Sequence, residues 1–341
     1  MSTFKITNNM GDKVNFSKEI INWCNCKEQI LNVISPPYSS SLIFLDVIMK
    51  YLKEGKKVLY ITGEREDNIE IIETIKRTTD FKNYSYSRNG GRLINSNLLI
   101  ANLEMAVKIK EKFDLTIIDD IRSFSKYNSC EIMEFIINRC NYAYKTICYS
   151  VESIFKNATE IEFPVRKNAM PIPEPRIIST RIDITKDIPY VIYEYILWSM
   201  EAGRKIVIFT FDKEAILALH EYLSRFKNQL CNNIISYIKN DSEKKVVLNF
   251  AKMKKSILIT NDFDEPDLSI HDVDVIVYYA DDERYSVKNL LYFCGKVGRG
   301  EKSNRGEVIF LGNVVTDSME KAKNITRHFN KEAWEMKLLE I

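Results

Sequence analysis

Short apolar runs alternate with amphipathic helical stretches along nearly the whole chain, and this alternation is the feature that most constrains its fold. It predicts strands over residues 57–62, 98–101, 115–119 and 146–150, separated by helices near 67–77, 103–112 and 131–140. Ahead of these the pattern reads as a helix over residues 17–33, with Ser17 as its N-cap. A second helix follows over 42–54 and ends at Gly55, a C-cap residue. The second half repeats the scheme, with helices near 189–200, 213–226, 242–253, 287–293 and 317–334. Its strands fall over 205–210, 234–238, 256–260, 273–279 and 307–311. Strand–helix alternation of this kind specifies an α/β fold with mainly parallel sheets flanked by helices.

Between the halves, Pro164, Pro171, Pro173 and Pro175 crowd one short stretch. Proline fixes φ and donates no backbone hydrogen bond, so residues 163–175 read as an extended linker. The expected domains are therefore 1–162 and 176–341.

Composition narrows the class. The 341 residues are 45% hydrophobic and 28% charged, as in a water-soluble globular protein. No apolar run reaches the roughly 18 residues that cross a bilayer, and residues 1–11 lack the apolar core of a signal peptide. Seven scattered cysteines favour a reducing cytoplasm over a disulfide framework. Cys24 and Cys26 have no second pair, so no zinc site is expected. A net charge of +2 argues against coating nucleic acid by charge alone. It leaves room for local basic stretches at 252–255 and 296–305, which otherwise read as solvated faces. The histidines, His220 and His271 among them, form no acid–base or metal constellation in the sequence.

Two motifs carry possible chemistry. Gly295-Lys296-Val297-Gly298-Arg299 lies one helix-length after the strand over 273–279. Glycines let a backbone approach a ligand closely, and cations face a phosphate, so this is a candidate phosphate site. Asp119-Asp120 directly follows an apolar strand. A carboxylate there can hold a nucleotide-bound Mg²⁺, although an acidic loop at a strand end is the plainer explanation.

Taken with the proline-rich stretch, these motifs resemble the superfamily-two helicase core, two RecA-like domains in tandem. They are most similar to the late-competence DNA translocase family ComFA. Pro171-Ile172-Pro173-Glu174-Pro175 resembles that family's inter-domain linker, and Gly306-Glu307-Val308-Ile309-Phe310 follows the second motif as it does in the family. The resemblance implies ATP and Mg²⁺ as cofactors, single- or double-stranded DNA as partner, other competence proteins alongside, and a role in DNA uptake. The family's zinc-binding region has no counterpart here.

The family's pattern is broken at most catalytic positions. Its phosphate loop falls on residues 35–42, where Tyr38 and Ser40 stand for glycines, Ser41 for the phosphate-reaching lysine and Leu42 for the Mg²⁺-binding hydroxyl. Asp119 matches the metal-binding aspartate, Asp120 stands for the catalytic glutamate, and Arg122 reverses a negative charge. The coupling motif maps to Tyr149-Ser150-Val151-Glu152 and an Arg-Gly pair to Pro266 and Asp267, neither retained. In the last motif Tyr292 replaces a glutamine, Lys296 replaces the first arginine, and Arg299 keeps the second, as a nucleotide contact or a structural ion pair.

Three readings follow. The first is a helicase-like protein with impaired or absent ATPase activity. The second is a working translocase with a rebuilt site, in which the amides of Ser39, Ser40 and Ser41 cradle phosphate and Lys56 or Arg65 supplies the lost cation. The third is a non-catalytic scaffold.

Overall fold

The computed structural model describes residues 10–87, 96–124, 127, 129–140, 143–264, 272–300 and 306–340. They divide into two compact units. One holds the described residues up to Ala169 together with Glu332–Glu340, and the other holds Met170–Lys331.

In the first unit the order is α1 (Met10–Cys24), β1 (Ile30–Ile34), a 3₁₀ turn (Ser41–Phe44) and α2 (Leu45–Lys53). Then come β2 (Val58–Thr62), α3 (Glu70–Thr78), β3 (Tyr84–Tyr86), β4 (Leu98–Ala101) and α4 (Leu103–Lys108). The unit's sheet is completed by β5 (Phe113–Asp119), α5 (Ser129–Cys140), β6 (Ala143–Ser150) and β7 (Thr159–Glu162). The seven strands run in the order β3-β4-β2-β5-β6-β1-β7, and every neighbouring pair is parallel. A parallel sheet buries both faces, which is why β2 and β4 are apolar and buried from end to end. One core layer gathers Leu59, Ile61, Leu99, Ile118, Ile136 and Cys148.

The N-terminal expectation is corrected here. Residues 17–33 are not one helix: α1 begins at Met10 and ends at Cys24, and Ile30–Ile34 is a central strand between β6 and β7. Ser17 therefore lies inside α1 instead of capping it, and its hydroxyl donates to Asp46 Oδ2 at 2.7 Å. Asn32 made the segment look unlike a strand. It is fully buried and clamps the chain beyond β6, its amide donating to Phe155 O (2.8 Å) and Ser153 Oγ (3.0 Å) while its oxygen accepts from Ile154 N (3.3 Å). Gly55 does close α2, with φ +73 and its amide donating to Leu52 O.

The second unit contains β8 (Arg176–Ser179), α6 (Tyr190–Glu201), β9 (Lys205–Phe209), α7 (Lys213–Arg225), β10 (Asn233–Tyr237) and α8 (Lys245–Lys252). After these come β11 (Ser256–Thr260), β12 (Val273–Tyr278), α9 (Val287–Lys296), β13 (Val308–Gly312) and α10 (Asp317–Glu335), whose residues up to Lys331 belong to this unit. The sheet order is β10-β11-β9-β12-β13-β8, again parallel throughout. The edge strands β3 (YSY), β7 (TEIE) and β8 (RIIS) escape sequence reading because they are short and, unlike the equally short β4 (LLIA), hold polar residues that break the apolar run.

The proline-rich stretch is shared between the units. Phe163 and Val165 are buried in the first, where their carbonyls accept from Ser35 Oγ and Ser39 Oγ. Ile172 belongs to the second and exchanges two 2.8 Å bonds with Asn330 of α10. No described helix is long and apolar enough to cross a membrane.

The second unit is pinned by Asp274 of β12, whose carboxylate has no exposed surface. Arg204 grips it in two places, Nε to Oδ2 at 2.8 Å and Nη2 to Oδ1 at 2.7 Å. Ser199 Oγ and Glu307 N donate to it as well, at 2.7 and 2.9 Å. Removing one partner of such a pair strands a buried charge, so Asp274→Ala should destabilise the full chain by about 3–5 kcal/mol. Denaturant unfolding followed by circular dichroism measures this, and a loss under about 1 kcal/mol would count against the pairing as an anchor.

Candidate functional site

The loop over residues 35–41 leaves the carboxyl end of β1, where open parallel sheets place their ligands. It turns tightly without a glycine. Tyr38 has φ +63, a left-handed conformation that glycine adopts freely and other residues adopt at a cost. Its amide donates to Ile121 O at 3.4 Å and that of Ser39 to Pro36 O at 3.2 Å. Ser39 and Ser41 have no exposed surface.

Three further elements converge on this loop. Asp119 ends β5, in register with Thr62 of β2 and Tyr149 of β6. It is buried, accepts from the Tyr60 hydroxyl at Oδ2, and has Ile121 N at 3.5 Å from Oδ1. Tyr149 packs edge-on against Phe44 and donates to Ser40 O at 3.3 Å. Arg122, three residues beyond Asp119, turns back into the protein. Its guanidinium donates to Glu64 Oε1 (2.7 Å), Ser39 O (3.0 Å) and Glu70 Oε2 (3.1 Å).

Glu70, in the first turn of α3, closes the arrangement. Its Oε2 also accepts from Ser41 N and Ser40 Oγ, both at 3.1 Å, and Ser41 Oγ lies 3.4 Å away. Lys167 pairs with Oε1 at 2.8 Å from a mostly exposed position.

The largely buried Arg122 guanidinium thus pairs with Glu64 and Glu70 and acts through space on the buried Asp119. Burial pushes Asp119 and Glu64 above the usual carboxylate range, against the pull of Arg122. Burial alone would raise Glu70 too, but Arg122 and Lys167 outweigh it and hold Glu70 below its ordinary value. The Arg122 guanidinium resists its own burial because Glu64 and Glu70 stabilise its charge.

The sequence-derived candidates are distributed as follows. Asp119, Ser39, Ser40 and Ser41 meet around Arg122 and Glu70, and Asp120 adjoins them, its amide donating to Tyr149 O at 3.0 Å. Lys296 and Arg299 belong to the other unit. Lys296 is 1% exposed and points into that unit's interior. Its ammonium donates to Phe263 O at 2.5 Å and lies 4.9 Å from the centre of the Tyr292 ring and 5.6 Å from that of Phe209. Arg299 Nε donates to Lys296 O at 3.3 Å, and Gly298 takes φ +68. Pro266, Asp267, His271 and residues 301–305 of the basic stretch lie outside the described residues.

Sequence reasoning missed Tyr60, Glu64 and Glu70. Its one signal was Arg122, a cation where an acid is expected, which needed buried counter-charges that the sequence alone did not locate.

These residues do not fit a nucleotide with Mg²⁺. The loop amide and hydroxyls that would meet a phosphate are spent on Glu70, no lysine stands at position 41, and Asp119 faces Tyr60. Among the described residues no group of three His, Cys, Asp or Glu side chains is placed to hold a metal ion.

No family model matches the chain, and neither does any curated protein. Solved structures do. The chain is similar to RecG bound to a three-way DNA junction, at 15% identity and TM-score 0.57 over 98% of its own length. It spans 47% of that RecG chain, about half. It is similar also to S. cerevisiae Dbp5 bound to RNA and ADP BeF3. A leucine-to-valine variant of Dbp5 matches at 11% identity and TM-score 0.57, over 96% of this chain and 93% of that one. A second Dbp5 structure with the same ligands gives 11% identity and TM-score 0.53, over 91% and 88%. The shared fold is two RecA-like α/β domains in tandem.

The buried carboxyls set a pH dependence. Folding raises Glu64 to about 7 and Asp119 to about 6, so the native state binds more protons than the unfolded chain from about pH 4 to 7. Their contribution is complete below the unfolded values and is lost as pH rises through the folded ones. Glu70 acts oppositely, and only near and below its unfolded value of 4.5. Stability to denaturant should therefore rise from about pH 8 to about pH 5.5, and Glu64→Gln should flatten that slope. An unchanged slope in the variant would exclude Glu64 as the group responsible.

Proposed function

We propose that this chain is a helicase-fold, nucleic-acid-associated protein of the ComFA type whose first RecA-like domain has given up nucleotide turnover. One observation carries the proposal: the fold spans nearly the whole chain, while the loop where such a domain holds phosphate is closed by the chain's own side chains. Conversion of the Gly-Lys-Thr ending to Ser40-Ser41-Leu42 supports it, because each replacement removes a different part of the phosphate contact. The inward turn of Lys296 supports it as well, since the ammonium is spent on main-chain carbonyl groups. Arg299 is the residue we assign to any remaining phosphate contact.

RecG is bound to a DNA junction and Dbp5 to RNA in the structures this chain resembles, and we extend nucleic-acid binding to this chain on that basis. A place in DNA uptake, beside other competence proteins in the cytoplasm, follows from the ComFA resemblance. On this reading DNA is held by the sheet ends and loops of the helicase fold, without ATP-driven movement.

Two measurements on the purified full chain test this. ATP hydrolysis with single-stranded DNA should not exceed that of Asp119→Ala. DNA affinity should fall steeply as salt rises, since each phosphate contact releases counterions. DNA-stimulated turnover abolished by Asp119→Ala would replace the proposal with a working translocase. Absence of DNA binding at low salt would replace it with a scaffold.

A further inference from the structure

We propose that the Glu70 carboxylate is a built-in stand-in for a phosphoryl group, seated permanently in the loop that leaves β1. The inference deepens the proposed loss of turnover but rests on the ion-pair geometry alone and makes no use of nucleic acid.

The donor set around Glu70 is that of an anion site. One oxygen, Oε2, gathers a backbone amide (Ser41 N), two hydroxyls (Ser40 and Ser41) and a guanidinium nitrogen (Arg122), all within 3.1–3.4 Å. The other faces the Lys167 ammonium at 2.8 Å. Backbone amide, hydroxyls, guanidinium and ammonium are the groups that bind a phosphoryl oxygen. The glutamate that receives them is 7% exposed at its side chain and remains ionised, because the two cations outweigh its burial. It comes from α3, a different element from the loop it fills. Arg122 is oriented independently by Glu64 and by the Ser39 carbonyl, so the cation is held on two sides other than Glu70.

The geometry has a definite consequence. With Glu70 in place the loop has no need of an external anion. Without its charge, Ser41 N, two hydroxyls, Arg122 and Lys167 are left as an empty cationic seat, and a small inorganic anion restores what the carboxylate supplied.

Glu70→Ala vacates the seat, and Glu70→Gln neutralises it at nearly constant shape. The full chain and both variants are melted across a pyrophosphate titration, with sodium chloride matching ionic strength and the wild type reporting the general stabilisation by excluded salts. The melting temperature of Glu70→Ala should rise by about 3–5 °C for each tenfold increase above the dissociation constant, and the wild type should show no such shift. Arg122→Met added to Glu70→Ala should abolish the response. A folded Glu70→Ala with no pyrophosphate-specific shift would overturn the proposal, as would a wild type that responds as strongly as the variant. Should neither single variant fold in chloride, refolding yield decides: recovery in pyrophosphate but not in chloride supports the seat, and equal yields overturn it. None of these readouts changes if the chain turns out not to bind DNA.

Discussion

The carboxyl end of the first sheet depends on one guanidinium taken out of water. Arg122 keeps only 11% of its side chain exposed, so most of its partners have to be found inside the protein. It does so in three places, Glu64 after β2, Glu70 at the start of α3, and the Ser39 carbonyl in the loop after β1. Breaking such a pair from one side costs more than the pair contributes, because a buried charge is left uncompensated. The three elements are therefore bound to one another through a single side chain. The loop geometry and the seating of Glu70 both follow from that constraint.

On the proposed reading, the same cation at position 122 explains why turnover has been given up. A site for a nucleotide and a metal needs carboxylates with unspent lone pairs and amides with unspent protons. Here the acids have been supplied with an internal cation and the amide with an internal anion. Balance is reached within the chain. In the second unit the buried Lys296 is likewise balanced from within, by main-chain carbonyl groups and aromatic faces.

Much of the fold was legible because parallel strands buried on both faces are unbroken apolar words, as in Val58–Thr62 and Ser256–Thr260. The strand that carries the loop was not. Ile30–Ile34 holds Asn32 at its centre, and an amide there looks like a helix surface until its partners beyond β6 are known. The site divided in the same way. Asp119 was found because a strand end marks it, whereas Glu64 and Glu70 owe their place to tertiary approach. Glu70 falls within the predicted helix over 67–77, and nothing in its local sequence sets it apart from any other acid in a first helical turn. Lys296 was legible as a cation but not in direction, because the turn of one side chain into an aromatic cluster leaves no local sign.

The clamp at Asn32 bears on how the first domain is made. Its partner Phe155 lies 123 residues further along the chain, and β1 has no neighbour in the sheet nearer in sequence than β6. Strands β2, β4 and β5 meet across much shorter loops, and local contacts form sooner than distant ones. During synthesis from the N-terminus the first strand is therefore produced early and placed late. Until β6 and β7 emerge, the strand lacks both of its neighbours in the sheet. A chain released before that point would expose an unpaired strand, so the early segment is the one most dependent on timely completion of the domain.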